Sequence, residues 1–416
     1  MISSTRSRPS DFPGWEAESP SQLRLRISNL VREHCLFSCP GALQGIILTG
    51  SWARAEATIV AQNGRYSILS DAEFLLVFER SARLPHQEKL ASLKHKLERT
   101  LKNNGIHCQL SFAAVHPEYF EKLPPHIFTY ELRACGQIIW GDQNLLSLIP
   151  DFSPCEISSK DAWYLLCNRI IEQFQILSEL TDRSTLPASA AYSTVKLYLD
   201  MSTSLLVFLG EYRPTYAERA NQLAGLARLG SWNDLPFELA PFARDVQSCT
   251  SWKLSPTTAG VVADWHFWEQ AMGYAQLLWQ WELARMIGAI DRRSNPDLLK
   301  QWCRLQPVTG RLRGWLYVLR RDGWLRSRRQ WLRWARQVRL GSPRHCVYRA
   351  TQELLFRLPS LIQAGTVQPS AQASLARAET YLPRLTRSSD SRRAGWHVLA
   401  SEIAQNYNRY LVGTRS

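Results

Sequence analysis

Apolar positions change their period along the chain, from short strand-like runs mixed with helical spacing up to about residue 150 to helical spacing almost throughout beyond it. Residues 21–34 carry apolar side chains at 23, 27, 30 and 31, one face of a helix. The runs Ile46–Leu48 and Phe74–Phe78 are short and continuously apolar, as buried strands are. Residues 58–68 lie between them as an excursion around the turn dipeptide Asn63-Gly64. Leucines at 90, 93, 97 and 101 predict a helix over 86–103, which stops at Asn103, Asn104 and Gly105; residues 106–115 read as a further strand. Strand, strand, helix and strand so close together predict a small mixed α/β domain that ends at Pro150–Pro154.

Beyond that point residues 161–177 are amphipathic, and residues 193–209 form a helix that Gly210 ends. Tryptophans at 265 and 268, and again at 279 and 281, read as packing along a helix seam. The fold class is therefore α+β, a small mixed α/β domain followed by a long all-α region. The expected organisation is a flexible leader at 1–21, the α/β domain at 22–150, a helical domain at 155–292 and an Arg/Trp-rich helical domain at 296–416.

The chemistry concentrates where the first two strands end. Gly50-Ser51 forms a turn after the first strand, and Asp71 and Glu73 open the second. Strand side chains alternate faces, so acids at i and i+2 project from the same side of the sheet. Two carboxylates held that close call for a cation, and Mg²⁺ (or Mn²⁺) suits one or two protein carboxylates plus phosphate oxygens. Glycine lets backbone N–H groups approach phosphate, and the Ser51 hydroxyl adds a donor.

In this combination the chain resembles the nucleotidyltransferase superfamily of the polymerase-beta-like kind: apolar strand, Gly-Ser, spacer, then Ser-Asp-x-Glu on the next strand. The resemblance covers about a third of the chain. It implies that Asp71 and Glu73 are the catalytic metal ligands and that Gly50 and Ser51 hold a nucleoside triphosphate, with Arg54 near its phosphates. Lys196 and Asp200 stand one turn apart, so Lys196 either pairs with Asp200 or neutralises phosphate. The resemblance also leads one to expect a third carboxylate on the next strand, where Cys108, Gln109 and Ser111 stand instead. Glu118, Glu131 and Asp142 are the nearby acids, and each reads more simply as a cap or a solvated charge.

Charge alters the picture of the C-terminal third. The net charge is +14, and the chain holds 41 Arg against 9 Lys. From Arg311 to Arg349 there are 12 Arg and 4 Trp against one acid, Asp322. That segment fits nucleic-acid phosphate, an anionic membrane surface, or solvated charges that pair within a helical bundle. No apolar stretch is long enough to span a bilayer, and the first residues lack the apolar core of a secretory signal, so the expectation is a cytoplasmic protein with nine reduced cysteines.

The function expected from these residues is Mg-dependent transfer of a nucleoside monophosphate from a triphosphate to an unidentified acceptor. The alternative is a catalytically inactive relative of the same fold, a binding or scaffold protein that uses its basic helices on nucleic acid or a protein partner.

Overall fold

The computed structural model describes residues 18–62, 65–179, 186–230, 234–256, 264–288, 298–323, 330–358, 361, 369–385 and 396–411. The chain divides into two compact units, one of residues 1–152 with 253–258 and one of residues 153–252 with 259–416. The first division, between Phe152 and Ser153, lies within the segment from Pro150 to Pro154.

The first unit opens on α1 (Pro20–Ser38), started by a reciprocal capping box between Ser19 and Gln22. Its buried residues Leu23, Ile27 and Val31 belong to the face that the spacing predicts. They share a core with Ile46, Leu48, Phe74 and Leu76 of the strands that follow. In chain order these are β1 (Leu43–Thr49), the one-turn α2 (Gly50–Ala53), β2 (Ile59–Gln62), β3 (Arg65–Ile68) and β4 (Ala72–Phe78). Then come α3 (Gln87–Asn103), β5 (Ile106–His107), β6 (Leu110–Val115), α4 (Glu118–Glu121), α5 (Ile127–Cys135) and β7 (Gln137–Gly141). The main sheet has the order β6-β4-β1-β7, with β1 antiparallel to both neighbours and β4 parallel to β6.

Two sequence expectations change. The excursion at 58–68 is a hairpin of β2 and β3 in a second, three-stranded sheet, while Asn63 and Gly64 lie outside the described residues. The single strand expected at 106–115 is two strands, because β5 pairs with β3 in the small sheet and β6 pairs with β4 in the main one. Cys108 and Gln109 make the step between sheets, where the Ala72 N–H donates to the Gln109 carbonyl at 2.9 Å. Residues 1–17 of the expected leader also lie outside the described residues.

The second unit is helical: α6 (Ser159–Glu179), α7 (Ala188–Leu209), α8 (Tyr216–Leu229), α9 (Leu239–Leu254), α10 (Trp265–Ile287), α11 (Leu298–Leu305), α12 (Val308–Asp322), α13 (Trp331–Leu340), α14 (Pro343–Leu355), α15 (Pro369–Tyr381) and α16 (Trp396–Tyr410). Gly210, at φ 74°, caps α7 in the left-handed conformation that the sequence calls for. Trp163 of α6 meets Trp279, Trp302 and Tyr348 edge-on at ring-centre distances of 5.6, 6.1 and 5.4 Å. Those partners stand on α10, α11 and α14, on both sides of residue 292. The expected division into domains at 155–292 and 296–416 is therefore replaced by one unit with a continuous core; residues 289–297 lie outside the described residues. Trp268, Trp279 and Trp281 are buried in that core, as seam packing requires. No helix among the described residues is long and apolar enough to cross a membrane.

Glu282 stands out in this core. It is fully buried on α10, and neither carboxyl oxygen finds a hydrogen bond. Burial raises its pKa well above the ordinary 4.5, and the nearby Ser204 hydroxyl offsets only part of the rise, so the folded protein holds Glu282 protonated. A carboxyl whose folded pKa is raised gives most stability below its unfolded pKa and loses it as pH rises toward the folded value. Glu282→Gln should therefore leave stability near pH 4 little changed and raise it at pH 7. The gap between variant and wild type should widen as pH rises through that window, read by denaturant titration at both pH values.

Candidate functional site

The pairing of β1 with β4 builds the site. Thr49 stands opposite Glu73 in the antiparallel register, and Glu73 stands beside Ser111 in the parallel register with β6. Thr49, Glu73 and Ser111 thus form one row across three strands. Glu73 and Ser111 are exposed in it, whereas Ala72 and Phe74, on either side of Glu73, are buried. Asp71, also exposed, lies one step before β4, so both acids project from the same side as the spacing predicts.

The turn meets the acids. Gly50 has φ 65°, a left-handed conformation that glycine takes without strain. A Cβ added there would lie 3.0 Å from Glu73 Oε2, so the backbone of the turn passes directly against the carboxylate. Thr49 Oγ1 donates to the same oxygen at 3.3 Å. Ser51 is half-buried in the first turn of α2. Trp52, 2% exposed, anchors that turn from behind by donating Nε1–H to the Ser70 carbonyl at 3.3 Å, which ties α2 to the residue before Asp71.

Glu73 titrates above the ordinary carboxylate range. The surrounding protein displaces water from a side chain that solvent still reaches, and Asp71 adds repulsion; Thr49 and Arg54 pull the value back down, and Glu131 pushes it up a little. A divalent cation between Asp71 and Glu73 would relieve the repulsion, so the pair fits a metal of the magnesium class. Among the described residues no group of three or more His, Cys, Asp or Glu side chains gathers to hold an ion.

The three positions at which a further acid would be expected are now placed. Ser111 is beside Glu73, and Gln109 is exposed one step before β6. Cys108 is buried, and burial pushes its thiol up to about 12, so it carries no charge at neutral pH. Glu118 pairs with Arg80 at 2.9 Å, and Asp142 accepts from the Asn144 N–H at 2.9 Å in the turn after β7. Both are the plain structural roles that their settings suggest.

Arg54 is engaged with acids of its own unit. Its side chain is only 5% exposed and donates to Glu56 at 3.0 Å and to Glu131. Glu56 is itself buried, so the guanidinium is the countercharge for an acid of the same loop and an acid of α5. Its positive charge also favours the ionised form of Glu73. Lys196 belongs to α7 in the second unit, with Nζ 5.7 Å from the centre of the Tyr192 ring, while Asp200 accepts from Arg169 at 2.6 Å.

One residue escaped the sequence reading. Lys253 is 2% exposed and belongs to the first unit, where its Nζ donates to Thr58 Oγ1 at 3.0 Å and Ser70 Oγ at 3.3 Å. Ser70 Oγ also accepts from the Thr58 N–H at 2.9 Å, so the segment entering Asp71 is fixed by a buried cation 183 residues away. No local pattern around position 253 marks it. Compared with known protein families and with curated proteins, the chain matches none.

Arg54→Met should strand the buried Glu56 carboxylate and destabilise the first unit by about 3 kcal/mol, the scale for breaking a buried ion pair from one side. Urea denaturation checks this; an unchanged midpoint would mean that the guanidinium is not the structural countercharge.

Proposed function

We propose that the first unit binds a nucleoside triphosphate with Mg²⁺ or Mn²⁺ and transfers its nucleoside monophosphate to an acceptor hydroxyl. The observation that carries this reading is the approach of the Gly50 backbone to the Glu73 carboxylate, which gathers a phosphate-compatible turn and an acid pair at one end of the central strand pair. In this reading Asp71 and Glu73 hold the cation, and the Gly50-Ser51 turn holds the phosphate chain with backbone N–H groups and the Ser51 hydroxyl. The bound cation supplies charge neutralisation on the phosphates. Thr49 fixes one Glu73 oxygen, Trp52 and Lys253 fix the segment on which Asp71 stands, and Thr49 and Arg54 offset part of the rise in the Glu73 pKa. Catalysis of this kind is mainly positioning and electrostatics, which a rigid strand pair provides. The acceptor is left open by the residues of the site.

A second reading rests on Ser111. A neutral residue beside Glu73 leaves two ligands where two-metal transfer needs more, which favours a protein that grips a metal-nucleotide complex without turning it over.

Incubation with each labelled triphosphate, Mn²⁺ and cell extract should yield a labelled acceptor. Asp71→Asn with Glu73→Gln should cut that label by about a hundredfold or more while the thermal transition stays in place. Normal labelling by the double variant would end the transferase reading, and loss of nucleotide binding without any labelled product in wild type would favour the second.

Because the Glu73 pKa is raised, Mn²⁺ affinity should strengthen as pH rises through the deprotonation of Glu73, and Glu73→Gln should remove that dependence. Ser111→Asp should tighten Mn²⁺ by about tenfold, since it sets a third carboxylate next to the pair. Calorimetric titration of the metal at two pH values reads both effects.

A further inference from the structure

The second unit carries an exposed aliphatic stripe bordered by arginine. Leu305 at the end of α11 is 65% exposed, and Val308, Leu312 and Leu316 of α12 are 63%, 50% and 52% exposed. The last three stand at i, i+4 and i+8, one side of the helix, while Trp315 and Val318 on the other side are buried against Trp334 and Tyr410. α12 is thus amphipathic twice over, with one apolar face spent on the core and a second turned to water.

Its rim is cationic. Arg304, Arg313, Arg320 and Arg321 are exposed on the same two helices, and the one acid between Arg311 and Arg349, Asp322, is already taken by Arg409 and Tyr410. Contiguous exposed aliphatic side chains rimmed by charge mark a docking face. Nucleic acid would use the arginines and aromatic rings but has no use for four aliphatic side chains in water. Two described rings of this region, Trp315 and Trp334, are also withheld from bases, since they are 4% exposed and give their indole N–H groups to the Gly341 and Pro383 carbonyls at 2.9 and 2.8 Å.

We propose that α12, with the end of α11, docks the protein on an anionic lipid bilayer, the leucines entering the boundary between headgroups and acyl chains while the flanking arginines meet lipid phosphate. Aliphatic surface and positive charge side by side are what an anionic bilayer complements, and this is the chemistry of helices that lie on a membrane without crossing it. The inference does not depend on the transferase reading of the first unit.

The test is flotation of the full-length protein with phosphatidylcholine vesicles and with vesicles that also contain phosphatidylglycerol. Wild type should float with the anionic vesicles only, and less so at high salt. Leu312→Glu with Leu316→Glu should reduce the floated fraction by about tenfold, as should Arg313→Gln with Arg320→Gln, because each pair removes one of two required attractions. Leu229→Glu, at an exposed leucine on α8, should float like wild type. These side chains are exposed, so circular dichroism and the thermal transition should be unchanged in every variant. Failure of wild type to float with anionic vesicles would overturn the proposal. So would a dimer in light scattering that the leucine pair dissolves, which assigns the face to a second copy, or RNA binding that the leucine pair abolishes.

Discussion

The candidate site depends on one register. β1 and β4 pair so that Thr49 faces Glu73, and a slip of one residue would turn Glu73 into the core and Phe74 into solvent. Phe74, Leu76 and Phe78 are buried in the core that includes α1, while Leu75 and Val77, on the face of Glu73, are buried with Phe120 and Leu132, so burial on both sides of the strand holds the acids at its start. Everything else reinforces the same alignment. Trp52 ties the turn to Ser70, and Lys253 ties Ser70 to Thr58. Arg54 sets a positive charge behind the acid pair while Glu56 and Glu131 compensate it.

How much of this was legible follows from how local each cause is. The helix face of α1, the two main strands and the placement of Asp71 and Glu73 on one side are consequences of period, and period is visible in one sequence. The role of Arg54 was only half visible, because Glu56 stands two residues on but its other partner, Glu131, is 77 residues away. Lys253 is harder still, a cation on a helical stretch whose hydroxyl partners are far off in the chain. The split of residues 106–115 into β5 and β6 was hidden because both halves are apolar and only their partners in different sheets separate them. β7 carries only the three-residue apolar run Ile138–Trp140 and is half-buried along most of its length, and its pairing with β1 is what makes it a strand.

In the helical unit the misleading feature was the density of tryptophan and arginine. Composition groups them, but the fold assigns them separate tasks. The rings of Trp163, Trp279 and Trp302 knit helices from both ends of the unit into one core. Several arginines of the basic segment are structural: Arg311 donates to the Cys303 carbonyl at the end of α11, Arg333 reaches the Glu379 carbonyl, and Arg349 lies over the Tyr381 ring. Among the described residues the exposed arginines of this segment stand on α12 and α13, Arg313, Arg320, Arg336 and Arg339 among them.

The neutral third position has a consequence for how a cation would reach the acids. Asp71 already raises the pKa of Glu73, and a carboxylate at 111 would stand as a direct neighbour of Glu73 in the parallel register. Three such anions could stay ionised together only with a resident cation, because the alternative is proton uptake by one of them. Two anions backed by Arg54 are tolerable without one, as the field of the guanidinium offsets part of their repulsion. On the proposed reading, Ser111 therefore suits a site whose metal arrives with the triphosphate, the phosphate oxygens completing a shell that the protein leaves half built. The same neutrality weakens any grip on the metal alone, so affinity for cation and nucleotide would be coupled, each supplying ligands or charge that the other lacks.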